Sequence, residues 1–266
     1  MKNILVLMHD DEGQEARFQA ALDLTRDLDG HLTCLDVSII PPAIPDYSML
    51  GDHALLTADE QDREAGNRRH IETRLAAEDV PYDWIDVAGG PSAAIRDAAG
   101  MADLIVLNRD IKNVYPSMGE IAGSVVLKAR RPVVAVPRDS RGFNSRGPVI
   151  IAWDGSAEAK AALHAAVPLL RLAAAVTLLE CDDGSVKVPA EEAAVYLSRH
   201  GITPNIRRIR ADIDAPSTIL LEQVRSDRPA YLVMGGYGHG RLAEAILGGV
   251  TRRMLTECPV PLFLAH

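Results

Sequence analysis

The chain carries the same order of apolar and amphipathic segments twice, and this repeat limits its fold more than any other feature. "NILVLM" is followed by a helical segment and "HLTCLDV", and about 145 residues later "PVIIAW" is followed by a helical segment and "VTLLEC". The halves also end alike, because "DLIVLN" and "AYLVMG" each precede a helix and a last apolar run. Short unbroken apolar runs are typical of parallel strands covered by helices on both faces. The order predicts five strands alternating with four helices in each half.

Right-handed crossovers turn this order into an α/β fold, with a doubly wound five-stranded parallel sheet in each half. "RDSRGFNSRG" has glycine, serine and charge without an apolar period, which predicts a linker. We therefore predict a first domain at residues 1–137, a linker at 138–147 and a second domain at 148–266. The proline-rich "IIPPAIPDYSMLGD" is expected to lie over the mouth of the first domain.

Composition and charge exclude several classes of protein. The net charge of -9 and the pI of about 5.4 argue against nonspecific binding to nucleic acid or to anionic membranes. No apolar run approaches the roughly 18 residues of a membrane span, and Ile4 to Met8 is too short for a signal peptide. Cys34, Cys181 and Cys258 are too far apart for a CxxC site, and we expect buried thiols in strands. We expect a cytoplasmic protein without nucleic-acid or membrane partners.

Glycines crowd the segment after the fourth strand of the second half. Ligands of such sheets bind at the carboxyl ends of the strands where the strand order reverses, so Gly235 and Asp154 are predicted to face one another there. The spacing is Gly235, two residues, Gly238, nine residues, Gly248. It is not the dinucleotide motif GxGxxG, whose third glycine is replaced by Arg241, and it is not a Walker loop. Bare backbone at a helix start favours a phosphate site, although a tight strand-to-helix turn is the alternative, and Asp154 could simply cap the next helix.

The layout resembles the universal stress protein family, whose nucleotide-binding members carry G-x2-G-x9-G-Ser/Thr after the fourth strand and an Asp in a "DGS"-like turn after the first. The second half resembles this pattern over nearly its whole length, and the chain looks like the tandem form. The resemblance implies an adenine-nucleotide alpha-hydrolase-like fold, packed as an intramolecular pseudo-dimer through "PVVAVP" and "VPLFLAH". It implies ATP or a related adenine nucleotide, with Mg²⁺, in the second domain only. The binding residues it implies are Asp154, Gly155, Ser156, Met234, Gly235, Gly238, His239, Gly248, Gly249, Val250 and Thr251.

Both halves depart from the family pattern. Gly249 stands where nucleotide binders usually have Ser or Thr, and Thr251 could replace that hydroxyl only if the loop shifts. In the first half His9 aligns with Asp154, and Asn108 replaces the first glycine. Because three acids follow His9 and would repel a triphosphate, we expect the first half not to bind ATP.

No motif indicates catalysis or a metal site. His9, Asp10, Asp11 and Glu12 are adjacent and could not all face one ion, so we expect an exposed acidic turn. The chain has no GxSxG or HExxH motif, and we predict a regulatory stress-response protein that is not an enzyme, with slow ATP hydrolysis left open. The alternative is a stress-responsive scaffold that binds proteins and no nucleotide. Further homodimerisation stays open.

Overall fold

The computed structural model describes residues 1–38, 50–109, 118–210, 215–237 and 249–266, and of 50–61 and 118–120 it describes the backbone only. The proline-rich segment predicted to cover the first domain falls mostly at 39–49, outside the described residues. None of the described helices is long and apolar enough to cross a membrane.

The described residues form ten strands at nearly the positions that the apolar runs predict. They are β1 (Asn3–Leu7), β2 (His31–Ser38), β3 (Tyr82–Ala88), β4 (Leu104–Asn108), β5 (Val133–Val136), β6 (Pro148–Trp153), β7 (Ala175–Asp182), β8 (Asn205–Arg210), β9 (Tyr231–Gly235) and β10 (Leu262–Ala265). The α-helices between them are α1 (Gln14–Asp27), α2 (Leu50–Glu78), α3 (Pro91–Ala98), α4 (Met118–Lys128), α5 (Ala157–Leu170), α6 (Ala190–Arg199), α7 (Pro216–Asp227) and α8 (Gly249–Glu257).

All strands belong to one sheet, in the order β3-β2-β1-β4-β5-β10-β9-β6-β7-β8. Pairing is parallel inside each half and antiparallel between β5 and β10, where Phe263 pairs with Val134. The order reverses between β1 and β4 and again between β6 and β9. This confirms the predicted doubly wound halves and the joining of their last strands within one chain.

Side chains that alternate along the strands build two apolar layers. Ile4 and Val6 of β1 face the layer that contains α1, α2, α5 and α6, whereas Leu5 and Leu7 face α3, α4, α7 and α8. Because both faces of β1 are covered, its run of apolar residues is unbroken. The outermost strands β3 and β8 instead alternate between half-buried and exposed residues.

Residues 138–147 cross between β5 and β6 without a helix or strand, yet they pack against both halves. Phe143 is buried, contacts the ring of Tyr231 at 4.8 Å, and donates its backbone N–H to Asp23. The domain boundaries remain a prediction.

The three cysteines are free thiols. Cys34 is buried in β2 and Cys181 is half-buried in β7, as expected for strands. Cys258 is buried after the end of α8, so the prediction of a strand position is wrong for it. Its burial comes from the packing of α8 on the sheet.

Candidate functional site

A cavity of about 460 Å³ lies at the carboxyl ends of β6 and β9, where the strand order of the second half reverses. Its described lining includes seven of the residues predicted to bind a nucleotide: Asp154, Ser156, Met234, Gly235, Gly249, Val250 and Thr251. Gly155 lies between two of these without lining the cavity, and Gly238, His239 and Gly248 lie outside the described residues. The volume is in the range of small-molecule sites.

A tight turn places the polar groups at the end of β6. Asp154 Oδ1 accepts the backbone N–H of Ser156 at 2.9 Å, and Ser156 Oγ accepts that of Ala159 at 3.1 Å. Ser156 is therefore the N-cap of α5, and the alternative in which Asp154 caps this helix is wrong. Gly155 is required here, because its φ is +70° and a Cβ would lie 2.2 Å from the backbone nitrogen of Val188.

Gly235 has a packing role of its own. A Cβ at Gly235 would lie 2.6 Å from the backbone nitrogen of Ala159, so only glycine allows α5 to approach the end of β9. Close packing of the strand-to-helix turn therefore explains the glycine at this position, whether or not a phosphate binds nearby. Met234, just before it, is buried and supplies apolar surface to the cavity.

The start of α8 differs from that crowded turn. A Cβ at Gly249 would meet no atom of the described residues within 4 Å, so none of them blocks the missing hydroxyl side chain. Thr251 Oγ1 accepts the backbone N–H of Tyr237 at 3.2 Å, which anchors the chain as it leaves β9 with a left-handed φ of +64° at Tyr237. A hydroxyl that accepts one hydrogen bond keeps its own hydrogen to donate. Thr251 therefore has a structural role and also retains a donor at the cavity.

One wall of the cavity was missed by the sequence reasoning. It comes from β7, the loop after it and the start of α7, with Leu179, Cys181, Asp183, Ser185, Pro216 and Leu220. Burial, followed by the charge of Asp183, raises the pKa of Cys181 to about 11, so this thiol is neutral at pH 7. This wall could have been predicted from the strand order, because β7 lies beside β6 and ends at the same edge of the sheet.

The charged side chains of the described lining are all acidic: Asp154, Glu158 and Asp183. Carboxylates accept hydrogen bonds from hydroxyl and amine groups, whereas phosphates favour the backbone N–H groups at a helix start. The described residues contain no group of three His, Cys, Asp or Glu side chains that could hold a metal ion. Mg²⁺ would therefore have to be held mainly by the phosphates of its nucleotide.

The corresponding crevice of the first half is filled by Arg17, whose side chain is fully buried. Its Nη1 donates to Asp11 Oδ1 at 2.8 Å and to Asn108 Oδ1, and its remaining nitrogens donate to the carbonyl oxygens of Leu7 and His9. Arg17 thus joins the ends of β1 and β4 across the point where a ligand would bind.

The turn after β1 is only partly the exposed acidic turn that the sequence predicts, because Asp10 and Glu12 are exposed but Asp11 is not. The side chains of His9 and Asp11 are buried, His9 against Glu64 and Asp11 against Arg17. The exposed Glu12 pairs with Arg138 at 3.0 Å. The predicted repulsion of a triphosphate by these acids is weakened, because Asp11 and Glu12 pair with Arg17 and Arg138.

Comparison with protein families identifies the fold. The model of the Universal stress protein family matches residues 1–137, more than half of the chain. The chain belongs to the universal stress protein family. The matched half of this universal stress protein is the one whose crevice Arg17 fills.

Solved structures agree with this architecture over the whole chain. A universal stress protein from Archaeoglobus fulgidus DSM 4304 superposes with a TM-score of 0.74 at 16% identity, covering 98% of this chain and 95% of that one. A functionally unknown protein from Pseudomonas aeruginosa PAO1 gives a TM-score of 0.62 at 12% identity, covering 100% and 92%. At such identities the likeness shows the fold alone. A comparison with curated proteins found no match.

Proposed function

We propose that this universal stress protein is a regulatory protein that binds ATP or a related adenine nucleotide in the pocket of its second half. The observation that carries the proposal is the cavity of about 460 Å³ at the reversal between β6 and β9. Leu179, Met234 and Val250 offer apolar surface for a base. Asp154 offers acceptors for ribose hydroxyls, and the start of α8 at Gly249 offers backbone N–H groups for phosphates.

The further assignments belong to the same proposal. Residues 1–137 and 148–266 are two domains of a cytoplasmic tandem protein, and 138–147 links them. Mg²⁺ accompanies the phosphates, and any hydrolysis is slow, because the described lining has no cationic side chain to stabilise the charge that develops on the phosphates. The first domain binds no nucleotide, since a ligand would have to displace Arg17 from Asp11 and Asn108.

Calorimetric titration with ATP and Mg²⁺ tests this function. We expect saturable binding at about one site per chain, weakened about tenfold or more by Asp154→Ala through loss of a charge-assisted hydrogen bond. Gly249→Ser adds a hydroxyl where no described residue stands in its way, and it should tighten binding. Gly100→Ser, likewise clear of every described residue but in the first half, is the matched control and should leave binding unchanged.

The loss variant must avoid Gly235. A side chain there would meet the backbone of α5 and disturb folding, so lost binding would say nothing about the ligand. Binding at two sites per chain would overturn the assignment to one half. The absence of saturable binding at millimolar ATP, in the native chain and in Gly249→Ser, would overturn the nucleotide function.

The second candidate is an interaction scaffold that uses no nucleotide. It is favoured by the glycine at position 249, where nucleotide binders usually carry a hydroxyl side chain. The Gly249→Ser variant separates the two functions, because a pocket that only lacks one donor should gain affinity when it is restored.

A further inference from the structure

Three buried titratable side chains meet beside the filled crevice of the first half. His9 follows β1, Asp36 lies on β2 and Glu64 lies on α2, and they are 5%, 3% and 3% exposed. His9 Nδ1 lies 2.8 Å from Glu64 Oε1, and the carboxyl groups of Asp36 and Glu64 are close enough to interact electrostatically. None of the three lines the pocket of the second half.

Two neighbouring buried carboxyl groups repel each other when both are ionised, and one bound proton removes this repulsion. Glu64 is surrounded by donors, since it receives the backbone N–H of Asp10 at 3.4 Å and Asn67 Nδ2 at 3.3 Å and lies against His9. These neighbours favour its ionised form. Oδ1 of Asp36 has no hydrogen-bond partner in the part of the chain that the structure describes. The proton therefore belongs on Asp36.

The electrostatic surroundings agree with this placement. Burial, followed by the charge of Glu64, raises the pKa of Asp36 to about 8. Burial also opposes ionisation of Glu64, but the hydrogen bond and charge of His9 outweigh it and hold the pKa of Glu64 below its ordinary range.

Two neighbouring cations are paired with acids outside the cluster, and a third, Arg63, lies 3.4 Å from Glu64 Oε1. Arg68 of α2 pairs with Asp86 of β3, which lies opposite Asp36 of β2 in the sheet. Arg17 pairs with Asp11. Neither replaces the proton of Asp36. Among the residues whose side chains are described, the other charged or titratable groups around the cluster are Asp10 after β1, Cys34 on β2, and Arg63 and Glu72 on α2.

We propose that His9, Asp36 and Glu64 form a proton-binding cluster that couples pH to the packing of α2 on β2, tightening this contact as the pH falls. With α2 in place, Asp36 keeps its proton up to about pH 8, whereas a solvated Asp36 would release it near its ordinary pKa of 3.8. The packed state thus binds more protons than the opened state within this window. Its added stability is full at the acid end and is lost as the pH rises to about 8. The lowered pKa of Glu64 has the opposite effect, which is a loss of stability of the packed state as the pH falls, but only below its ordinary pKa of 4.5.

Hydrogen–deuterium exchange of α2, corrected for the chemical exchange rate, measures the opening directly. Release of one proton on opening changes the opening constant of α2 by at most about tenfold per pH unit. Between about pH 5.5 and 7.5 we therefore expect this constant to rise by about tenfold to a hundredfold. Asp36→Asn cannot titrate and should abolish this slope. Asp83→Asn, an exposed carboxyl on β3, is the matched control and should keep it.

Equal slopes in the native chain and in Asp36→Asn would overturn the proposal. If Asp36→Asn does not fold, the ¹³C chemical shift of the Asp36 carboxyl in the native chain decides. A titration midpoint near 8 supports the cluster, and a midpoint near 4 overturns it.

Discussion

Replacing Arg17 by methionine tests the account of the first half, because it removes the guanidinium and keeps most of the buried volume. The change leaves the Asp11 carboxylate and Asn108 without their buried donor, together with the carbonyl oxygens of Leu7 and His9. Breaking a buried ion pair by removing one partner costs about 3–5 kcal/mol. At about 2–4 °C per kcal/mol for a chain of this size, a loss of about 4 kcal/mol lowers the Tm by about 8–16 °C.

Urea unfolding followed by circular dichroism measures the free energy of unfolding, and thermal unfolding gives the Tm. Arg138→Met is the matched control, because the ion pair of Arg138 with Glu12 is largely exposed and should contribute less than about 1 kcal/mol. Arg17→Lys keeps the charge but loses the planar fork, so it should fall between the native chain and Arg17→Met. A loss from Arg17→Met no larger than that from Arg138→Met would refute the reasoning.

Further predictions concern the second half and the thiols. Ser156→Ala should cost about 1 kcal/mol by uncapping the N–H of Ala159, and Ser156→Asn should restore most of it; equal unfolding energies for all three chains would contradict the cap. Gly235→Ala should lower the unfolding free energy by about 1–3 kcal/mol, because its Cβ would lie 2.6 Å from the backbone nitrogen of Ala159, and unchanged thermal unfolding would show that α5 can yield. Burial raises the pKa of Cys34 to about 12 and that of Cys181 to about 11, so alkylation at about pH 8 followed by mass spectrometry should label Cys181 slowly and Cys34 only after unfolding. The reverse order of labelling would contradict this accessibility.

The fold was predictable because its signals are local. Buried strands such as β4 need apolar side chains on both faces, and the outer strands β3 and β8 need them on one, so the two kinds leave different patterns in the sequence. The repeat then fixed the strand order, since right-handed crossovers leave few other arrangements.

The details of both crevices depended on contacts that no local pattern contains. Arg17 and Asn108 are separated by 91 residues. Burial of a charged side chain on the apolar face of a helix can be predicted only when its distant partners are known. At the second crevice Asp154 and Ser156 stand two residues apart, and both residue types are good helix caps. The extended backbone of Ser156, with φ of -65° and ψ of 166°, makes it the cap and leaves Asp154 at the cavity.

The antiparallel pairing of β5 with β10 places what could be two subunits in one polypeptide. In a symmetric dimer each substitution appears at both copies of a site, so a change that closes one crevice closes the other. Here Asn108 and Gly235 are the corresponding last residues of β4 and β9, and either one can mutate while the other stays unchanged. Covalent joining thus separates the evolutionary fates of the two crevices, and it keeps their ratio at one to one however dilute the protein becomes.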